Sequence, residues 1–100
     1  MIKHLVFWKI KDTYSPQEKE VIKQNLKTNL EALIHKIPCA SKLELIVNPL
    51  PSSNMDMCLN SEFETVELLQ SYSNHPLHQD VVKTYILPYV ESRSCIDYEM

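Results

Sequence analysis

Residues 2–11 read IKHLVFWKIK, and this stretch decides the fold because its side chains alternate strictly between two faces. One face carries Ile2, His4, Val6, Trp8 and Ile10. The other face carries Lys3, Leu5, Phe7, Lys9 and Lys11. A period of two predicts a β-strand with one apolar face turned to a core and one mixed face.

A long amphipathic helix is predicted directly after this strand. Residues 15–18 (SPQE) supply a serine N-cap, a proline at the first helical position and a glutamate three residues after the cap, which is the capping-box arrangement. An apolar stripe then continues until Pro38 and consists of Ile22, Leu26, Leu30, Leu33 and Ile37.

The remaining elements complete an α+β pattern. Residues 42–48 and 55–63 alternate again and predict a hairpin joined by a Pro/Ser/Asn turn. A short helix capped by Thr65, a further helix starting at Pro76 and a strand at 94–99 follow. The order β-α-β-β-α(α)-β predicts a ferredoxin-like fold in a single domain over residues 1–100.

Composition excludes several function classes. The chain is 44% hydrophobic and 23% charged, which is ordinary for a globular protein, and its net charge of -3 argues against a nucleic-acid partner. The apolar run 5–8 is too short for a signal sequence or a membrane span, so we expect no membrane association and a cytoplasmic location.

Three widely spaced cysteines, Cys39, Cys58 and Cys95, form no C-x-x-C motif and predict free thiols rather than disulfides or a zinc knuckle. The chain also has no glycine, so any left-handed backbone position must fall on Asn or Asp, or be absent.

The second face of the first strand predicts a homodimer. Leu5 and Phe7, joined by Ile46 and Cys58, leave apolar surface outside the helical layer, and a partner sheet is the simplest cover. The same face also carries charged residues. They either form the polar rim of a dimer interface or indicate that this face is exposed to solvent in a monomer. These residues are Lys3, Lys9, Lys42, Glu44, Asp56 and Glu62.

Several segments resemble the stress-responsive A/B barrel (Dabb) family over nearly the whole chain. They are residues 1–6 (MIKHLV), 61–63 (SEF), 72–78 (YSNHPLH), Pro88 and 97–99 (DYE). The resemblance implies a four-stranded antiparallel sheet, a dimeric α/β barrel with its helices outside, and a pocket between sheet and helices in each subunit.

The plant polyketide cyclases of this family use a tyrosine and a histidine at the positions that match Tyr72 and His78. Those enzymes also have a tyrosine on the first helix, whereas this chain offers Asn25, Leu26, Asn29 and Leu30 there. Because of this departure, the resemblance does not carry the substrate and reaction of the cyclases over to this chain, and it does not fix a function.

His78 is the main candidate for chemistry. In the first turn of the last helix, the helix dipole opposes a positive charge and favours a neutral imidazole that accepts a proton. His78 would then be a general base acting on a carbonyl compound, with free backbone N–H groups nearby stabilising the enolate. The alternative is that His78 hydrogen-bonds a carbonyl group and packs where the helices meet.

Tyr72 and His4 are the other candidate catalytic residues. Tyr72 either orients a ligand oxygen or packs in the core. His4 is the only polar side chain on its apolar strand face, so it needs a partner, which would be His78, a ligand or a backbone carbonyl. The predicted ligand-binding residues are Trp8, Val6, Leu69 and Val82.

No cofactor and no metal ion is predicted. His4, His75 and His78 are poor ligands as a set, because Pro76 breaks the helical register between the last two and no carboxylate or cysteine stands at close spacing.

Three functions remain open from the sequence. The first is a homodimer that binds a small apolar carbonyl or phenolic ligand, with cofactor-free acid/base chemistry of the cyclase kind. The second is a noncatalytic stress-associated binding or structural module, and the third is a cofactor-free monooxygenase-like enzyme.

Overall fold

Four strands and three α-helices follow one another in the expected order. A computed structural model describes all 100 residues, Met1–Met100. The strands are β1 (Ile2–Ile10), β2 (Ala40–Ile46), β3 (Met57–Phe63) and β4 (Val90–Glu99). The α-helices are α1 (Pro16–Glu31), α2 (Val66–Asn74) and α3 (Pro76–Val81). A 3-10 turn (Ala32–His35) follows α1, and a π-helical turn (Val82–Ile86) follows α3.

The strands form one antiparallel sheet in the order β2-β3-β1-β4, with β1 in an interior position. This is the ferredoxin-like topology, and it confirms the predicted fold class. Val6 lies opposite Leu59 on β3 and opposite Cys95 on β4. Because directly opposed residues share a face, this register decides which side chains of β4 face the helices.

The start of α1 is built as the capping box predicts. The Ser15 hydroxyl accepts the Glu18 N–H at 3.1 Å, and the Glu18 carboxylate accepts the Ser15 N–H at 2.8 Å. The hydrogen bond from the Ser15 backbone lowers the pKa of the Glu18 carboxyl. Ile22, Leu26 and Leu30 face the core, as the stripe requires.

The helix ends earlier than predicted. It was expected to continue to Pro38, but the last turn tightens into the 3-10 segment, where the carbonyl of Leu33 accepts the N–H groups of both Lys36 and Ile37. Leu33 and Ile37 stay buried in this tighter geometry, so the apolar stripe is preserved although the helix type changes.

The two helices that follow β3, α2 and α3, both begin at a capping side chain. The Thr65 hydroxyl accepts the Leu68 N–H at 3.1 Å, and Nδ1 of His75 accepts the Leu77 N–H at the same distance.

Strand β4 begins at Val90 rather than at residue 94, because Pro88 ends the helical segment and the chain pairs with Ile10 immediately afterwards.

The core lies between the helices and one face of the sheet. Along β1 the buried positions are the five of the predicted apolar face, and β3 buries Met57, Leu59, Ser61 and Phe63 on the same side. Leu5 and Phe7 are half-buried on the outer face, where Phe7 lies opposite Cys58 and Leu5 lies opposite Ile96, which is 54% exposed. Apolar surface thus stays open on this side.

No residue takes a left-handed backbone conformation, which agrees with the absence of glycine. None of the helices combines the length and the apolar character that a membrane crossing requires.

Candidate functional site: a cavity between the sheet and the last helix

A cavity of about 330 Å³ opens between the sheet and the segment that contains α3 and the π-helical turn. Strand β1 contributes His4, Val6 and Trp8 to its wall. The helical side contributes mainly His78, Val82 and Ile86, and β4 contributes Val90 and Arg93. The lining is mostly apolar with a few polar groups, which is typical of small-molecule sites.

His78 is held in one protonation state by its contacts. Its Nδ1–H donates to the Ser73 carbonyl at 3.0 Å, which leaves Nε2 as the nitrogen with the lone pair. Burial is the largest cause of a lowered pKa for His78. Electrostatic interactions with His4, Arg93 and His75 lower this pKa further, whereas the Ser73 bond raises it. The imidazole is therefore neutral near neutral pH.

Tyr72 lies behind His78 rather than at the cavity. Its ring centroid is 4.5 Å from that of His78 and 5.2 Å from that of Phe63, and its side chain is fully buried. The Tyr72 hydroxyl has no hydrogen-bond partner, and burial raises its pKa well above the ordinary value, so the group stays protonated.

The expectation that Tyr72 and Leu69 line the pocket is therefore corrected. Both are buried on α2 in the core, and only Ser73 and Asn74 at the end of this helix reach the cavity. Leu69 is buried in the core. The other five predicted site residues, His4, Val6, Trp8, His78 and Val82, all line the cavity.

His4 has a partner that the sequence analysis did not include. Its Nδ1–H donates to the carboxylate of Asp97, the residue directly opposite it on β4. The thiol of Cys95 lies 3.8 Å from the same nitrogen and 3.5 Å from the Asp97 carboxylate. The polar group on the apolar strand face is satisfied by these neighbours, and not by His78 or a backbone carbonyl.

Two unpaired or cationic donors border the cavity. The indole Nε1–H of Trp8 is buried without a hydrogen-bond partner, which is costly for a polar group. The Arg93 guanidinium lies on the exposed strand β4 and also contributes to the wall.

Two of the backbone N–H groups at the start of α3 already have partners within the protein. Leu77 N–H donates to the His75 ring, and Gln79 N–H donates to the His75 carbonyl at 3.0 Å. Because His75 satisfies both groups, neither is free to stabilise an enolate. His75 itself is the N-cap of α3.

Arg93, Cys95 and Asp97 are the site residues that sequence reasoning missed. A signal was present, because these residues alternate along β4 and so share one face. Strand β4 had been expected to start at residue 94, after Arg93, and which of its faces meets the helices depends on pairing with β1.

Comparison with known proteins supports the fold and the family. The family model of the stress responsive A/B barrel domain matches residues 2–100. Among curated proteins, none matches the sequence.

Three solved structures illustrate the range of similar proteins. A dimeric protein of unknown function with a ferredoxin-like fold from Bacteroides fragilis is 34% identical, with a TM-score of 0.93 over 99% of this chain and 95% of that one. The hydroxynitrile lyase of Passiflora edulis is 16% identical, with a TM-score of 0.77 over 97% and 90%. A putative antibiotic biosynthesis monooxygenase from Nitrosomonas europaea is 14% identical, with a TM-score of 0.76 over 100% and 98%.

The likenesses to the lyase and the monooxygenase are those of fold alone, whereas the family model and the Bacteroides fragilis protein match almost the full chain in sequence. The chain belongs to the stress responsive A/B barrel domain family.

Proposed function

We propose that this protein binds a small, mostly apolar compound with a carbonyl or phenolic oxygen, in the cavity between the sheet and the last helix. The observation that carries the proposal is a neutral His78 at the wall of that cavity, with Nδ1 committed to Ser73 and with no protein partner at Nε2. An unpaired proton acceptor in an apolar cavity is an arrangement suited to an acidic O–H or C–H group.

The cavity fits a ligand of this class. A volume of about 330 Å³ is near the lower end of the range for small-molecule sites and suits a compound with one ring. Val6, Val82 and Ile86 offer apolar contact to the ring. The unpaired Trp8 N–H requires an acceptor, which a carbonyl or phenolic oxygen supplies.

The same groups support cofactor-free proton transfer. Nε2 of His78 takes the proton from a carbon next to the carbonyl, the C–H bond breaks, and the electron pair moves onto the carbonyl oxygen. The resulting enolate oxygen accepts a hydrogen bond from Trp8 or pairs with Arg93. Return of the proton from His78 to the same or another atom completes the cycle.

A homodimer through the sheet face is the second part of the proposal. Leu5, Phe7 and Ile96 leave apolar surface on that face, and a depression of about 400 Å³ borders it beside Phe7, Ile46 and Cys58. The Bacteroides fragilis protein of this fold is dimeric. A partner sheet would cover the open face, and the free thiols suit the reducing cytoplasm as the location.

A noncatalytic module is the alternative that a specific observation favours. Tyr72 is fully buried between Phe63 and His78, so the histidine also helps to anchor α3 on α2. In that case the cavity binds a ligand without turnover, or the protein binds no ligand and its function depends on the dimer alone. A monooxygenase-like activity has a likeness of fold behind it and no observation at the cavity.

Ligand binding is tested by titrating isotope-labelled protein with a panel of monocyclic phenols and aryl ketones. The readout is the change in the amide chemical shifts of the protein. We expect binding by wild type and a loss of roughly 2- to 10-fold in affinity for the phenols in His78→Gln, since a hydrogen bond between neutral groups contributes about 0.5–1.5 kcal/mol. His35→Gln is the matched control, because His35 is exposed and distant from the cavity.

Turnover is tested with the same ketones in deuterium oxide. Wild type should accelerate exchange of the hydrogens next to the carbonyl, and His78→Gln should not. Binding without exchange supports the noncatalytic alternative, whereas a fall in thermal stability of His78→Gln with no binding by either protein contradicts the proposed function.

A further inference from the structure

Three side chains of metal-ligand type meet on the helix-facing side of β1 and β4. They are His4, Cys95 and Asp97, whose ligand atoms all lie within 4.8 Å of one another. The register explains the meeting, because His4 pairs with Asp97 and Val6 pairs with Cys95, so all three project to one side of the sheet. The pattern is absent from local sequence spacing, since His4 comes from the other end of the chain.

The distances suit a tetrahedral ion bound to sulfur. Zinc bonds of about 2.0–2.3 Å place neighbouring ligand atoms about 3.3–3.8 Å apart. The Cys95 sulfur lies 3.8 Å from Nδ1 of His4 and 3.5 Å from the Asp97 carboxylate oxygen. The remaining pair, His4 and Asp97, shares a hydrogen bond, so an ion would replace the shared proton and move these two atoms apart.

Access also suits a cation, although the Arg93 guanidinium interacts with Cys95 and an ion would have to displace it. Cys95 and Asp97 are exposed, so an ion reaches the cluster from solvent, while His4 is 8% exposed and fixed on an interior strand. A thiolate and a carboxylate together neutralise a divalent ion. The mixed nitrogen, sulfur and oxygen set favours zinc over magnesium or calcium, which prefer oxygen ligands alone.

We propose that His4, Cys95 and Asp97 form a zinc site with three protein ligands and a fourth position open to water or a small molecule. Three ligands with an open position are the arrangement of catalytic rather than structural zinc sites. This site goes beyond the proposed function and does not need the cavity's ligand, although His4 borders both.

The test is titration of the reduced full-length protein with cobalt(II), followed by competition with zinc. We expect a sulfur-to-cobalt charge-transfer band in the near ultraviolet, visible bands of tetrahedral cobalt, and displacement of cobalt by zinc. Cys95→Ser should abolish the charge-transfer band, and Asp97→Asn should weaken zinc binding by at least about 10-fold. Cys58→Ser is the matched control, because Cys58 lies on the outer face of the sheet, and it should leave both unchanged.

A spectrum without the charge-transfer band, or a band that survives in Cys95→Ser, overturns the proposal. X-ray absorption at the zinc edge of the wild-type protein gives a measurement that does not depend on how the variants fold. One sulfur neighbour at about 2.3 Å is expected, and a shell of nitrogen and oxygen alone overturns the proposal.

Discussion

At the scale of single residues, burial and hydrogen bonding set the protonation state of each polar group at the site. His78 is neutral mainly because burial lowers its pKa, and the hydrogen bond from its Nδ1–H to the Ser73 carbonyl fixes which tautomer it adopts. Tyr72 stays protonated because burial raises its pKa. The indole N–H of Trp8 is buried and has no hydrogen-bond acceptor within the protein. The sequence predicted the neutral histidine from a helix dipole, whereas burial is the larger cause.

The pKa of His78 makes stability depend on pH with a definite sign. A folded pKa below the ordinary value of about 6.5 means that the unfolded chain binds more protons on the acid side. The contribution of His78 to stability is therefore complete above about pH 6.5 and is lost as the pH falls through the folded pKa.

We expect the free energy of unfolding of the wild type to fall more steeply on acidification below about pH 6.5 than that of His78→Gln. Urea unfolding of both proteins across this range measures the difference, and the histidines that both proteins keep cancel out. Parallel curves would show that His78 titrates as it does in the unfolded chain.

Trp8→Phe separates polar from apolar recognition in the cavity. The substitution keeps an aromatic ring but removes the unpaired N–H, so binding of phenols and ketones should weaken roughly 5-fold, from the loss of about 1 kcal/mol for one hydrogen bond. Binding of toluene, which has no oxygen, should not weaken. Equal losses for both ligand classes would mean that the ring shape, and not the donor, recognises the ligand. Titration by fluorine or amide NMR measures each case.

At the scale of elements, alternation and caps made most of the structure predictable. The face of β1, the capping box of α1 and the caps of α2 and α3 are each formed by residues that lie close together in the chain, where sequence patterns act directly. The end of α1 and the start of β4 were less predictable. Their limits depend on contacts with distant residues, such as the pairing of Val90 with Ile10.

In the candidate site, too, the positions set by local sequence patterns could be predicted, and those set by contacts between distant residues could not. The side chains of β1 and His78 could be assigned to the cavity because each lies on a strongly patterned element. Asp97 and Cys95 could not be assigned, because only the β1–β4 register brings them to His4. Tyr72 was assigned to the cavity in error, since a helical face does not reveal which part of the sheet it covers.

Ser15→Ala tests the start of α1. The substitution removes the hydroxyl that accepts the Glu18 N–H and should lower the free energy of unfolding by about 1 kcal/mol, measured by urea unfolding. Thr13→Ala is the control, because Thr13 is exposed and outside the capping box. An equal effect of both substitutions would contradict a specific role of the cap.

At the scale of the whole molecule, the two faces of the sheet have different roles. Its helix-facing side holds the core and the cavity, and its outer side carries apolar side chains that the helices do not reach. The proposed dimer would cover that outer side and leave the cavity of each subunit on its own helical side. The two parts of the proposed function are therefore separable by substitution.

Phe7→Glu tests the proposed dimer. A charge at the centre of the outer face should convert the dimer to monomers, as measured by analytical ultracentrifugation. Val21→Glu is the control, because Val21 is 60% exposed on α1 and lies outside the sheet. A Phe7→Glu protein that remains folded and dimeric would exclude this face as the interface.

The most direct test of the central claim is where a bound ligand lies. Nuclear Overhauser effects between a bound phenol and the labelled protein should appear at the Trp8 indole proton, the His78 ring and the methyl groups of Val6 and Val82. Effects confined to Phe7, Ile46 and Cys58 would place the ligand on the outer sheet face and contradict the claim that the cavity beside His78 is the binding site.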